Sequence, residues 1–315
     1  MKKNKQLRYS VSRPIIGGVP QAILTSKDNR AKPLLLLLHG GPGEPMTPFT
    51  DELVDLEERF VVCIWEQRGA GMSYVRQAED IRIFHYVSDA LEVTRYLLER
   101  FERDKLVLMG FSWGTLVGIL AAAQAPELYL AYLGVGQLAD QRASEMEAYE
   151  AALEKATQAK DKKSADFLLC NGPPPYSGKN SLQLIIKERT ILRKYSDNPA
   201  KSPKLAEYFC KIFCCEYYSL TDKINYFRGL QSGVPLFSEI MQFNVQDAVP
   251  SVLVPVYVLQ GKHDMQTSPR QARKLIDGID APRKQFILFE RAGHSPMGDD
   301  PEAFYQTLDG IMREI

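Results

Sequence analysis

Gly110-Phe111-Ser112-Trp113-Gly114 decides the fold because of what flanks it. Lys105-Leu-Val-Leu-Met109 before it reads as a buried strand, and Thr-Leu-Val-Gly-Ile-Leu-Ala-Ala-Ala over residues 115–123 reads as a helix. Alone, a G-x-S-x-G pentapeptide recurs by chance in chains of this size, and its serine can simply open a helix. Between a strand and a helix it becomes a sharp turn that lifts the serine off the sheet edge. Such a backbone is strained and tolerates only small neighbours, here Gly110 and Gly114. The following helix aims its first amides and positive dipole end at charge developing on a substrate at Ser112. The stretch points to a serine nucleophile.

Upstream, Pro33-Leu-Leu-Leu-Leu-Leu38 runs into His39-Gly40-Gly41-Pro42-Gly43, a strand breaking into a glycine-rich loop. Without Cβ atoms that backbone can approach a substrate and turn free N–H groups toward an oxyanion, with the amides of Gly41 and Trp113 as the expected donors. A loop that only turns the chain is the simpler alternative. The serine also needs a base, and the chain has four histidines. His39 belongs to the glycine loop, and His85, in Ile83-Phe-His-Tyr-Val87, reads as a packing histidine at a helix start. His263 stands beside Asp264 after the strand Val254-Pro-Val-Tyr-Val-Leu259, and His294 follows the strand Gln285-Phe-Ile-Leu-Phe289. Ser112, Asp264 and His294 then fall in the nucleophile, acid, base order of one hydrolase fold. His263 is the competing base, but no later acid sits on a comparable strand end to orient it.

Together, His39-Gly-Gly-Pro-Gly43, Trp65-Glu-Gln-Arg-Gly-Ala-Gly-Met-Ser73, the Ser112 pentapeptide, Gly261-Lys-His-Asp264 and Gly293-His-Ser-Pro296 resemble the proline iminopeptidase branch of the α/β-hydrolase superfamily. The motifs span residues 39 to 296, nearly the whole chain. The resemblance implies an α/β-hydrolase fold, a Ser-His-Asp triad working through an acyl-enzyme, and cap carboxylates that receive a free α-amino group. Glu216 and Glu239 are the expected carboxylates, each also readable as a solvated helix residue, while Gly40 and Phe111 border the substrate. Two departures stand out. Glu66 replaces the family's Asp, a longer side chain able to alter the loop beneath the site, and Phe111 replaces a small residue and makes the wall beside Ser112 bulkier. An aminopeptidase acting on short peptides is the first expectation. A carboxylesterase or small-amide hydrolase, and a ligand-binding receptor that keeps the triad, are the alternatives. Ser112 argues against dehalogenase or epoxide hydrolase chemistry, which needs a carboxylate at that turn.

Composition agrees. A chain of 315 residues, 45% hydrophobic, can bury a large core. Its 39 basic and 39 acidic residues cancel, leaving no electrostatic footprint for nucleic acid or an anionic membrane. The basic start Met1-Lys-Lys-Asn-Lys-Gln-Leu-Arg8 lacks an apolar segment behind it, and five cysteines suit a reducing compartment, so a cytoplasmic protein is expected. Cys210, Cys214 and Cys215 share helical spacing but have no histidine nearby, so buried packing is expected rather than a metal; no cofactor is called for.

Residues 8–12 and 18–25 read as an antiparallel pair, and strands at 34–38, 60–65, 105–109 and 131–135 alternate with helices at 51–59 and 87–103. The expected architecture is a mostly parallel central sheet with helices on both faces. Residues 137–247 carry only helical stretches, among them 142–163 and 182–195, broken at Asn171-Gly-Pro-Pro-Pro-Tyr176, and read as an all-helical cap. The core is then 1–136 and 248–315, with helices starting at Ser268-Pro269 and Asp300-Pro301.

Overall fold

The computed structural model describes residues 7–75, 81–176, 180–195 and 205–315; the basic start over residues 1–6 lies outside the described residues. Five consecutive leucines, Leu34–Leu38, form a strand with every residue buried. Leu34, Leu36 and Leu38 pack into one core cluster and Leu35 and Leu37 into another. Side chains alternate across a strand, so an unbroken apolar run marks a sheet covered on both faces. Val61–Trp65 divides in the same way.

In chain order the strands are β1 (Ser10–Ser12), β2 (Ile15–Ile16), β3 (Val19–Pro20), β4 (Ile23–Thr25), β5 (Leu34–Leu38), β6 (Val61–Trp65), β7 (Leu106–Phe111), β8 (Tyr129–Val135), β9 (Val256–Gly261) and β10 (Lys284–Phe289). Eight form one sheet in the order β1-β4-β6-β5-β7-β8-β9-β10, antiparallel at β1/β4 and β4/β6 and parallel onward. The sequence expectation for residues 18–25 needs correcting. Gly17 and Gly18, at φ +53° and +78°, turn a separate β2–β3 hairpin, and only Ile23–Thr25 joins β1. Pro20 offers no ladder donor, and the buried Gln21 is drawn off to the Ile16 carbonyl and Asp89, which ends the first segment.

Flanking the sheet are α1 (Val54–Glu57), α2 (Ile83–Phe101) and α3 (Trp113–Gln124). The helix expected over 51–59 is the end of a 3-10 stretch, Thr47–Leu53, running into the four residues of α1, and α2 starts four residues before the expected 87. Then, between β8 and β9, come α4 (Gln141–Gln158), α5 (Lys162–Asn171), α6 (Ser181–Lys194), α7 (Leu205–Cys214), α8 (Leu220–Ile240) and α9 (Val245–Ala248), with no strand among the described residues. The expected run 142–163 is two helices, because Lys160 turns left-handed at φ +55° and the Asp161 carboxylate caps α5. A single bridge, Asp140 to Asn244, ties the ends of this helical segment together. The chain finishes with α10 (Pro269–Gly278), α11 (Pro296–Asp299) and α12 (Pro301–Met312). Ser268 caps α10 as expected, whereas the Asp300 carboxylate pairs with Arg291 and leaves α12 without a side-chain cap.

Two of the three clustered cysteines are not the buried thiols expected. Cys210 and Cys214 are exposed with sulfurs 3.7 Å apart, and only Cys215 is buried. Among the described residues no group of three or more His, Cys, Asp or Glu could hold a metal ion, and no helix is long and apolar enough to cross a membrane.

Candidate active site

The strand order reverses around β5, whose neighbours are β6 and β7, and such a switch point opens a crevice at the carboxyl ends of the strands. The glycine loop leaves β5 there and Ser112 leaves β7 beside it. Ser112 holds φ +50° and ψ −119°, a conformation that L-residues avoid. Its neighbours cannot be larger. A Cβ on Gly110 would lie 2.4 Å from the Gly114 carbonyl oxygen, and one on Gly114 would lie 2.2 Å from that of Leu38. The Ser112 N–H donates to the Val135 carbonyl at 3.0 Å, and the next residue, Gly136, lies against the His294 ring: a Cβ there would be 3.3 Å from Nδ1. Ser112, at the end of β7, and the imidazole, from the loop after β10, are thus both set against the end of β8.

His294 Nδ1 meets Asp264 Oδ2 at 2.8 Å. The Asp264 carboxylate also accepts from the Gln266 N–H at 2.8 Å, the Thr267 N–H at 3.0 Å, the Thr267 hydroxyl at 2.8 Å and Gln260 Nε2 at 2.8 Å. Burial opposes the Asp264 charge, but His294 and these donors outweigh it and hold the carboxyl below its ordinary range. The same pair resolves for His294: burial disfavours the imidazolium, Asp264 favours it more strongly, and the ring is held above the usual histidine value. Gln260 and Thr267 were not singled out in the sequence, because a glutamine inside an apolar strand carries no motif. Gln260 also accepts from the Gln137 N–H at 2.8 Å, tying β9 to the loop after β8.

The other histidines are occupied otherwise. His263 Nε2 lies 3.1 Å from the Glu290 carbonyl oxygen. His85 accepts from the Arg82 N–H and closes a capping box at the start of α2. His39 is fully buried, and burial lowers its pKa to about 4, so the ring is neutral. Its Nδ1 donates to the Gly40 carbonyl and its Nε2 accepts from the Gln67 N–H at 3.0 Å. Gln67 returns a bond to the His39 carbonyl and accepts from the Trp113 indole at 2.8 Å, so one side chain fastens the glycine loop to the Ser112 turn.

Gly41, Ser112 and Trp113 line one cavity of about 600 Å³. Trp113 is the first residue of α3, so its amide is among the four helix donors without an intrahelical acceptor. The glycine loop is pressed onto α8. A Cβ on Gly233 would fall 2.4 Å from the Pro42 carbonyl oxygen, and one on Gly43 2.3 Å from that of Gly229. From the helical segment, Ile185, Phe227, Leu230, Val234 and Phe237 make the cavity apolar. Arg189 is the charged side chain among its described lining residues.

The remaining expected substrate contacts lie elsewhere. Gly40 backs Ser112, its absent Cβ 3.3 Å from the serine Cβ. Phe111 closes β7 and packs into the second core cluster. Glu216 is exposed, and Glu239 accepts from the Ile83 N–H at 3.1 Å and pairs with Arg82 at 3.3 Å, so it holds the start of α2; neither carboxylate lines the cavity. Glu66 is fully buried. It accepts from the Met72 N–H at 2.5 Å and from Tyr218 of the helical segment at 2.6 Å, and burial pushes its pKa to about 7.

The chain belongs to the α/β-hydrolase family, whose description, alpha/beta hydrolase fold, matches residues 33–301. Among curated relatives it is 30% identical over 299 residues to "Probable aminopeptidase YbaC" of Bacillus subtilis (strain 168), covering 93% of each chain. Among solved structures it superposes on a proline iminopeptidase-related protein from Thermus thermophilus with a TM-score of 0.64 and 19% identity, covering 96% of this chain and 97% of that one. Proline iminopeptidase of Mycobacterium smegmatis gives a TM-score of 0.62 at 17% identity, covering 97% and 98%. The fold of both neighbours is shared.

Proposed function

We propose that this chain is a serine hydrolase acting through an acyl-enzyme, and that it works as an aminopeptidase on short peptides. The observation that carries the chemistry is the strained Ser112 backbone on the rim that also holds the Asp264–His294 pair. In this reading His294 takes the Ser112 proton as the hydroxyl attacks a carbonyl carbon, and Asp264 holds the ring tautomer with Nε2 free to accept. The amides of Gly41 and Trp113 receive the oxyanion. The imidazolium then protonates the leaving group, and a water deprotonated by His294 releases the acyl group. The helices within residues 137–247 form a cap over a core of 1–136 and 248–315 and shape the acyl pocket. The similarity to a relative named a probable aminopeptidase supports the peptidase reading.

A second reading, a carboxylesterase or small-amide hydrolase, is favoured by one feature: the charged residue among the described cavity lining is Arg189 and not a carboxylate that would receive an ammonium. Two measurements separate these. Labelling by a fluorophosphonate should be abolished in Ser112→Ala, together with hydrolysis by several powers of ten; retention of most activity in that variant overturns the nucleophile. Leucyl, alanyl and prolyl arylamides compared with their N-blocked forms then decide the class. Preference for the free amine supports the aminopeptidase, and equal rates or cleavage of esters alone discards it.

A further inference from the structure

In a trans peptide the carbonyl oxygen and the N–H lie in one plane and point in opposite directions, so whatever fixes one aims the other. The Gly40 carbonyl and the Gly41 N–H share such a plane, since the peptide between them is trans. That carbonyl accepts from His39 Nδ1 at 2.8 Å. An imidazole therefore orients the plane, and the Gly41 N–H is directed away from it, on a residue that lines the cavity with Ser112. The bond exists in one tautomer alone, with the proton on Nδ1 and none on Nε2. The Gln67 N–H enforces that tautomer by donating to Nε2 at 3.0 Å. Burial, which lowers the His39 pKa to about 4, keeps a second proton off the ring near neutral pH.

The side chain of Gln67 reaches both loops of the site. Its Nε2 donates to the His39 carbonyl at 2.9 Å, and its Oε1 accepts from the Trp113 indole at 2.8 Å. The same indole meets the Tyr86 ring edge-on, with centroids 5.2 Å apart, so its place is set from two sides. His39, Gln67 and Trp113 are at most 1% exposed, and neither His39 nor Gln67 lines the cavity. A buried amide bonded at both ends has one orientation, because turning it over would set donor against donor and acceptor against acceptor. The loop that carries it is itself anchored: the next residue, Arg68, pairs with the buried Asp89 of α2 through two hydrogen bonds, at 2.5 and 2.6 Å. Gly41 follows β5 and Trp113 follows β7, and a single residue placed after β6 is bonded to both loops.

We propose that Gln67 is the positioning residue of the oxyanion site, acting through His39 on the Gly41 amide and through the indole on Trp113, without touching substrate. The inference rests on the assignment of Ser112 as nucleophile and of these two amides as its oxyanion donors. Donors of this kind accelerate a reaction only when they stand in place before charge develops, and a small misplacement forfeits much of their effect. The negative oxygen they receive exists in the transition state and not in the bound substrate. Loss of Gln67 is therefore felt in kcat and leaves KM nearly unchanged. This also gives the stretch Trp65–Ser73 a role at the site although it supplies no member of the triad.

The experiment follows labelling of the full chain by an alkyl fluorophosphonate, in which the Ser112 oxygen displaces fluoride from phosphorus while the phosphoryl oxygen occupies the oxyanion site. Gln67→Met removes both side-chain bonds, and Gln67→Glu keeps the shape and the acceptor for the indole in case the first variant does not fold. The expected result is labelling that reaches the wild-type endpoint about 100-fold more slowly in Gln67→Met and about 10-fold more slowly in Gln67→Glu. On whichever of leucyl p-nitroanilide and p-nitrophenyl butyrate is turned over, kcat should fall by similar factors. Trp113→Phe should cost about 10-fold alone and almost nothing further in the Gln67→Met background, since the bond it deletes is already gone. A role in folding alone would lower the labelling endpoint and leave the rate of the labelled fraction unchanged. That result overturns the proposal, as do wild-type rates in both Gln67 variants or costs of Gln67→Met and Trp113→Phe that simply multiply. A wild type that is not labelled at Ser112 overturns the nucleophile assignment instead, which separates failure of that reading from failure of this one.

Discussion

Glu66→Gln should make the protein more stable above neutral pH, by an amount that follows from where the carboxylate sits. Burial raises the Glu66 pKa from 4.5 to about 7, against the donors Tyr218 and the Met72 N–H. A carboxyl whose folded pKa lies above its unfolded value favours the protonated native state. Its contribution is present in full below the unfolded value and is lost as pH rises through the folded one. Between pH 4.5 and pH 7 the native state therefore gives up stability, and above that the loss is constant. A separation of about 2.5 pKa units corresponds to about 3 kcal/mol at pH 8, and only about 0.4 kcal/mol at pH 4.5. Glutamine has the same shape and no charge to desolvate. Its carbonyl oxygen can take the Met72 N–H, and its amide can donate to the Tyr218 oxygen. At roughly 2 °C per kcal/mol for a chain of this size, thermal midpoints should agree within about 1 °C at pH 4.5 and separate by about 5 °C at pH 8, the variant being higher. Melting followed by circular dichroism at both pH values checks this. A difference that does not change with pH would refute the reasoning, because it would mean that the Glu66 carboxylate ionises in the native state as easily as in the unfolded chain.

The remaining predictions concern the reaction. The acid limb of kcat/KM should have its midpoint above the ordinary histidine value of 6.5, because Asp264 raises the His294 pKa and the ring must be neutral to accept the Ser112 proton; a pH–rate profile on any turned-over substrate measures it, and a midpoint below 6.5 contradicts the pairing. Gly233→Ala should lower kcat by about 100-fold with a smaller change in KM, since its methyl group would displace Pro42 and with it the Gly41 amide, and misplacements of about 1 Å carry costs of that order. Single-turnover acylation rates check it, and an unchanged kcat would show that Gly41 does not hold the oxyanion.

The parts of this molecule that were legible in its sequence are those whose physics is local. The leucine strand, the glycine loop and the serine turn each depend on a few consecutive residues; Gly110 is required by the turn's own close approach to Gly114 and Thr115, and Gly114 by the end of the neighbouring β5. Strand ends share one edge in a parallel sheet, and of the histidines weighed by elimination it is His294 that meets Asp264. What escaped depends on contacts between segments far apart in the chain. Gln260 reads as a polar interruption in an apolar strand until Asp264, Thr267 and Gln137 are seen around it. The residues 18–25 looked like one strand because β propensity cannot show that Gln21 has a better partner 68 residues away in Asp89. Glu216 and Glu239 both read as helix glutamates in the sequence, but Glu216 falls in the turn between α7 and α8, and packing turns Glu239 toward the start of α2.

Under the proposed function the helical segment, more than the sheet, would set which substrates the cavity accepts. On the proposed assignment of Ser112, Asp264, His294 and the amides of Gly41 and Trp113, the sheet end would act on any carbonyl and would not discriminate between acyl groups. Discrimination requires groups held at a distance from Ser112, and those come from α6 and α8, which supply the apolar wall and the Arg189 cation. Such a wall is selective only if its position relative to Ser112 is fixed. Tyr218 on Glu66, Gly229 and Gly233 against the glycine loop, and Tyr208 on Glu44 at 2.7 Å provide that connection, each joining the segment to a loop at the carboxyl edge of the sheet. The glutamate where the resembled family carries aspartate is one methylene longer, and its Oε1 is the atom that accepts from Tyr218. That departure therefore bears on the joint between Glu66 and the helical segment: a shorter side chain at this position would retract the acceptor from Tyr218 and loosen the cavity wall, while leaving Ser112 and His294 where they are.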